Sequence, residues 1–239
     1  MSPTGARGGR QRIPRPPNFV AGGPAPWAQL SEAERRLTIA QVRERVADLP
    51  PARPVTSHPF REGEALDPGT RDAAVLIPLF EEAGETRVVL TKRPEHLPTH
   101  QGEIAFPGGK IDPALDASAA DAALREAEEE IALPRGSVEI VAELDHLPSV
   151  GGPFVIAPFV GIVVGRPTLV PAPGEVDRVF DVALSELLSD EVHREERWDM
   201  FGAPRAMQFF ELEGETVWGA TARILAAFLA RLTGVEPPV

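Results

Sequence analysis

The sequence predicts a mixed α and β domain. Apolar runs of strand length outnumber the segments with helical spacing, and the helical segments fall at intervals that suit layers on a mixed sheet. Gly- and Pro-rich stretches separate the runs and mark the turns between them.

Residues 1–26 are rich in Gly, Pro and Arg with almost no aliphatic periodicity, and are expected to form a mobile tail. Ser31-x-x-Glu34 is a capping box that opens a helix predicted to reach Ala47, with Ile39, Val42 and Val46 at helical spacing. Pro50, Pro51 and Pro54 stop it, and residues 48–70 read as a linker. Residues 73–80 (AAVLIPLF) are an apolar run of strand length; Gly84-Glu85 turns the chain, and residues 86–92 return as a second strand. A helix is predicted to start near Asp116 or Ser118, where Ser118-x-x-Asp121 is a second cap signal, and to end before Pro134. Residues 138–144 and 154–164 follow as strands around the loop 148–153. A Pro-rich connection, 171–174, leads to a strand at 179–182 and a short helix at 184–188. Residues 207–212 are a late strand, and 217–232 an amphipathic helix with Ile224, Phe228 and Leu232 recurring every four residues.

Composition narrows the function. With 239 residues and 43% hydrophobic content, the chain can bury one sizeable core plus an appendage. It has no cysteine, which removes disulfides, thiol nucleophiles and thiolate metal sites and fits a cytoplasmic protein. No apolar run is long enough to span a membrane, and Arg7, Arg10, Arg12 and Arg15 stand where a secretory signal would need an apolar core. A net charge of −12 argues against a general nucleic-acid binder, whose affinity depends on basic surface.

The chemistry concentrates in residues 106–110 (FPGGK) and 124–133 (LREAEEEIAL). Glu126, Glu129 and Glu130 stand at i, i+3 and i+4, so a helix points all three carboxylates the same way. Three like charges on one face repel one another, and a hard divalent cation with oxygen ligands would turn that repulsion into a site, typically Mg²⁺ shared between carboxylates and substrate phosphates. Taken alone, Glu128–Glu130 also reads as a solvated helix face, and Gly108-Gly109 as an ordinary tight turn.

Together these stretches resemble the Nudix hydrolases, whose box reads G-x5-E-x7-R-E-U-x-E-E-x-G-U with U aliphatic. Residues 125–133 match its second half at every position but Ala132, where the box has Gly. Its first half is re-spaced: Asp116 stands one residue before the box Glu and Gly109 two residues before the box Gly. The branch of the family that acts on coenzyme A shows similar re-spacing and an upstream signature. Val89-Leu90-Thr91-Lys92-Arg93-Pro94, Gly102 and Phe106-Pro107-Gly108-Gly109 follow its spacing, with Pro94 and Pro98 replacing a small residue and an Arg. Trp218-Gly219-Ala220-Thr221 also looks like that branch.

The resemblance covers roughly residues 70–232. It implies an α/β/α Nudix sandwich with a mixed sheet, preceded by an N-terminal extension divided into the tail and a helix-plus-linker segment at 27–69, and followed by a tail at 233–239. It further implies Mg²⁺ or Mn²⁺ held by Glu126, Glu129, Glu130 and a backbone carbonyl near Gly109, with one of the glutamates able to take a proton from water. Arg125 would brace the cluster by a bidentate bond. Lys92, Arg93 and Lys110 are the cations expected to meet substrate phosphates, and Glu103 is expected at the rim of the site. His100 and Glu175 are weaker candidates for proton transfer, and Trp218 for packing against the C-terminal helix. The partner is then a small-molecule nucleotide rather than nucleic acid or membrane. The reaction expected is diphosphate hydrolysis of coenzyme A or its thioesters. ADP-ribose, dinucleotides or nucleoside triphosphates are the alternative substrates, and a non-catalytic ligand-sensing or partner-binding module the alternative role.

Overall fold

The computed structural model describes residues 7–57, 64–149, 152–200 and 202–236. In chain order the elements are β1 (Val20–Ala21), α1 (Glu32–Arg35), α2 (Ile39–Ala47), β2 (Arg71–Glu82), β3 (Glu85–Lys92), β4 (Ile104–Ala105), β5 (Gly108–Lys110), α3 (Ala119–Ile131), β6 (Val138–Glu143), β7 (Leu147–Pro148), β8 (Phe154–Val163), β9 (Arg178–Ala183), α4 (Leu184–Leu187), β10 (His193–Met200), β11 (Ala203–Leu212), β12 (Glu215–Val217) and α5 (Gly219–Thr233).

The main sheet runs β4-β3-β2-β8-β6, with β5 also on β2, β7 on β8 and β9 on β3. β2 and β8 are parallel, with Arg71 opposite Phe154, and the other pairs are antiparallel, so the sheet is mixed. Successive side chains of a strand leave on opposite faces, and here both faces are covered. Ala74, Leu76 and Phe80 of β2 and Val89 of β3 pack with Ala123, Ala127 and Ile131 of α3. Ile77, Leu79, Val88 and Leu90 pack on the other face with Val42 and Val46 of α2 and Ile224, Leu225, Phe228 and Leu232 of α5. That makes an α/β/α sandwich and explains why 73–80 reads as a continuous apolar run rather than an alternating one.

Several features depart from the sequence expectation, among them the short strands β1, β4, β5 and β7, of which β5 takes in the Gly108-Gly109 pair expected as a tight turn. The single helix predicted over 31–47 is two. Thr38 forms its own capping box with Gln41, and the break turns Leu37 into the core, where its carbonyl accepts from the Thr86 N–H at 2.8 Å. β10 and β12, absent from the sequence reading, complete a second antiparallel sheet, β1-β10-β11-β12. The sequence of β10, HREERWDM, hides its alternation because its buried positions include His193 and Glu196 beside Trp198. This sheet covers the remaining side of α5, which is therefore buried round most of its circumference instead of being amphipathic.

The described part of the expected mobile tail, residues 7–26, is docked, while residues 1–6 lie outside the described residues. Val20 pairs with Arg197, the Gly8 N–H donates to the Leu212 carbonyl at 2.8 Å, and Arg15 clasps the buried Glu196 at 2.8 and 3.0 Å. The segment is held by backbone pairing, an ion pair and side-chain hydrogen bonds to β10, β11 and β12, none of which its apolar content reveals. Of the linker at 48–70, residues 58–63 lie outside the described residues, and Arg53 grips Asp145 at 2.7 Å.

Candidate active site

Ser118 caps α3, accepting from the Asp121 N–H at 3.1 Å, and the helix ends at Ala132 in the left-handed conformation (φ 55°). The family box has Gly at this position, and an L residue held there is strained. Between these ends, α3 lies against β2 and β5, which brings its glutamates to the Gly-Gly strand. A Cβ built on Gly109 would stand 2.5 Å from the Glu126 carboxyl carbon, so the glycine lets the carboxylate lie against this backbone where a larger residue would make it move aside.

Arg125 is the hub. Its guanidinium grips Asp116 in a fork at 2.8 and 2.9 Å, donates to Glu126 at 2.8 Å and Glu129 at 3.0 Å, and reaches the Lys110 carbonyl at 3.2 Å. The Asp116 side chain is fully buried and also accepts from the Asp112 N–H at 2.8 Å. The Arg125 fork and the Asp112 N–H hold Asp116 below the usual carboxylate range, and Arg125 is in turn held more firmly protonated, mainly by Asp116. The one-residue shift of this acid in sequence thus still delivers a carboxylate to Arg125. In sequence Asp116 is only a displaced box residue; its fully buried side chain under the Arg125 fork shows it to be the partner of that arginine.

The three glutamates differ. Glu130 is buried and accepts from the Gly108 N–H at 3.2 Å; burial pushes its carboxyl up to about 7, against the pull of that N–H and of Arg93 and with the help of Glu126 and Glu175. Burial also raises Glu126, in opposition to Arg125. The Glu129 side chain is 54% exposed and shares Arg125 with Glu126. Glu126 and Glu130, one turn apart, therefore face the Gly-Gly strand, while Glu129 lies on the flank. As placed, the three do not converge: among the described residues, no three His, Asp or Glu side chains meet at metal-binding distance. Arg125 draws Glu126 and Glu129 to itself, and Glu130 turns to Gly108. The donor chemistry nevertheless fits a hard cation, because the groups gathered are carboxylate and backbone oxygens with no competing thiolate.

The expected cations separate. Lys92, on the β3 face opposite Val89, bonds Glu215 of β12 at 3.0 Å, so it does not face α3 as expected of a phosphate ligand. Glu215, only 5% exposed, also accepts from Arg178 at 2.7 Å. Arg93, one residue on, acts electrostatically on Glu130, and its Nε is buried without a hydrogen-bond partner among the described residues. Lys110 is exposed, and its backbone pairs with Ala73. Glu103 accepts from His100 Nδ1 at 2.9 Å, and its carbonyl takes the Arg93 N–H at 2.9 Å; the His100 ring is held more protonated by that carboxylate. Glu175 is exposed on a loop that docks on the end of α3, where the Ala172 N–H donates to the Glu130 carbonyl at 2.8 Å. Trp218 is the N-cap residue of α5.

Comparison with known proteins agrees with this geometry. The NUDIX domain family model matches residues 70–201. Chloroplastic Nudix hydrolase 22 of Arabidopsis thaliana is 43% identical over 168 residues, which cover 65% of this chain and 53% of the plant protein. Two bacterial proteins bearing the name uncharacterized Nudix hydrolase NudL are also similar. The one from Photorhabdus laumondii is 37% identical over 160 residues, covering 67% of this chain and 84% of that protein. The one from Citrobacter koseri is 40% identical over 181 residues, covering 75% and 90%. The chain thus spans about half the length of the plant relative and most of the length of the bacterial ones. Among the described residues no helix is long and apolar enough to cross a membrane. With more than half of its length inside the domain match and the Arg125-centred glutamate helix in place, this chain belongs to the Nudix family.

Proposed function

We propose that the protein is a metal-dependent diphosphatase acting on a nucleoside diphosphate-linked small molecule, and that coenzyme A or an acyl-coenzyme A is its substrate. The observation that carries the reading is the pair of carboxylates of the half-buried Glu126 and the buried Glu130, set against the Gly108–Lys110 strand, with the Arg93 Nε nearby and unpartnered among the described residues. Glu126, Glu129 and Glu130, with the Gly109 carbonyl, would hold Mg²⁺ or Mn²⁺ once Arg125 yields part of its grip. Such an ion neutralises phosphate charge and acidifies water. The chain's own groups supply the rest. Arg93 binds phosphate oxygens by charge-assisted hydrogen bonds. Arg125, braced by Asp116, keeps the glutamates in place. Glu175 stands on the loop beside Glu126 and Glu130 as the acceptor for the proton of the attacking water. Water oxygen attacks one phosphorus, the anhydride P–O bond breaks, and the second phosphate departs with the electron pair.

Coenzyme A is favoured by the spacing of residues 89–109 and by the Trp218–Thr221 segment. With Lys92 engaged by Glu215, recognition of its 3′-phosphate falls to Arg93 or Lys110. The test is a panel of coenzyme A, its 3′-dephospho form, ADP-ribose, dinucleoside polyphosphates and nucleoside triphosphates with Mg²⁺ or Mn²⁺, products being identified by mass. Conversion of coenzyme A to 3′,5′-ADP and 4′-phosphopantetheine, with the highest kcat/KM of the panel, is the expected result. A preference for ADP-ribose overturns the coenzyme A assignment, and no turnover of any compound overturns the diphosphatase reading itself.

A further inference from the structure

We propose that Gln11, on the N-terminal arm, is a positioning residue for the loop that presents Arg93 to the site, so that the arm is a working part of the active centre. The inference rests on the diphosphatase reading of that centre. Both ends of the Gln11 amide are used. Its Oε1 accepts from the Thr216 N–H at 3.0 Å, and its Nε2 donates to the Gly102 carbonyl at 3.2 Å and to the Glu215 carboxylate. A carboxylate could not make the donations, and a hydrocarbon could make none of the three.

With His100, Gly102 is one of two left-handed residues in the loop. Its φ is +63°, and a Cβ there would meet the Glu95 carboxylate at 2.5 Å. The next residue, Glu103, takes the Arg93 N–H on its carbonyl and the His100 ring on its side chain. Residues 93 to 103 therefore close a loop whose two ends are pinned together, and Gln11 tethers that closure to β12. Glu215 ties the same point to the end of β3 through Lys92 and to β9 through Arg178. A buried carboxylate shared by two cations and an amide is held by all of them together.

The arm has other attachments, from the Gly8 N–H to Leu212 and from the Gly9 N–H to Thr216 Oγ1 at 2.9 Å. Losing the Gln11 amide should therefore loosen the loop without releasing the arm. The bland alternative is that Gln11 only fastens the arm to the β11–β12 hairpin.

The test compares Gln11→Met, which keeps the length but loses the amide, and Gln11→Ala, each alone and combined with Arg93→Ala, in the full chain. Amide hydrogen exchange across 95–103 should quicken in both variants while the melting temperature stays within a few degrees. The substrate cleaved best in the panel should lose on the order of tenfold in kcat/KM, the scale of one hydrogen bond to a charged group. In the Arg93→Ala background the further loss should be less than about twofold, because residues acting through one another are not additive. Unchanged exchange at 95–103, or full and additive losses in the double variants, overturns the proposal. The exchange readout needs no substrate, so it decides the positioning role even where the panel shows the diphosphatase reading to be wrong.

Discussion

Removing the Asp116 carboxylate should destabilise the domain more than removing that of Glu126, Glu129 or Glu130. Its side chain is fully buried and supplies two of the five hydrogen bonds that Arg125 makes, both in one fork. Taking one partner from a buried ion pair costs about 3–5 kcal/mol, because the remaining charge is left in a poor environment. Glu126 and Glu129 still face Arg125, so Asp116→Ala is expected at the lower end, about 3 kcal/mol. For a chain of this size that is roughly 6–12 °C in melting temperature, at about 2–4 °C per kcal/mol. Urea denaturation of wild type, Asp116→Ala and Asp116→Asn at neutral pH measures it. The pH dependence gives a second check. Arg125 lowers the native pKa of Asp116 below its ordinary 3.8, so the carboxylate stabilises the fold fully above that value. That contribution is lost as the pH falls through the depressed native pKa, so the gap between wild type and Asp116→Asn should close on acidification. A loss below about 1 kcal/mol at neutral pH, or a gap that widens in acid, would refute the assignment of Asp116 as the anchor of Arg125.

Other outcomes follow from the same geometry. Glu130→Gln should lower kcat/KM by ~10²-fold or more with the melting temperature unchanged or raised, since it removes a charge that burial disfavours; retention of a tenth of the activity would sink its role in the site. Arg93→Ala should cost on the order of 1–3 kcal/mol in kcat/KM, whereas Lys92→Ala should act chiefly on stability; the reverse pattern would show that the face assignment of β3 is irrelevant to substrate. Ala132→Gly should raise stability by about 0.5–1 kcal/mol by relieving a left-handed alanine, and an unchanged denaturation midpoint would contradict that strain. Deleting residues 1–26 should lower the melting temperature by roughly 3–8 °C, about 1.5–2 kcal/mol for losing the charged bonds of Arg15 to Glu196, and an unchanged transition would show that the arm contributes nothing.

The sequence by itself determined what depends on neighbours a few residues apart. The spacing of Arg125, Glu126, Glu129 and Glu130 points to a shared helical neighbourhood, a cap signal at Ser118 marks where that helix starts, and the apolar run over 73–80 has the length of a strand. These follow from the 3.6-residue and 2-residue periods of the backbone. Tertiary structure alone decided which charged group meets which. Alternation places Lys92 and Arg93 on opposite faces, but only the packing of α3 on one face and of α5 and β12 on the other sets Arg93 near Glu130 and Lys92 on Glu215. Asp116 reads as a displaced acid until the chain folds it under Arg125. Residues 7–26 look like a tail because their attachment is made of backbone pairing, ion pairs and side-chain hydrogen bonds to β10, β11 and β12, and the alternation of β10 is itself hidden by buried polar residues. Gln11 and Glu215 lie 204 residues apart. Local periodicity states which side chains share a face, but the partner that covers the face comes from distant chain, and no short-range pattern encodes it.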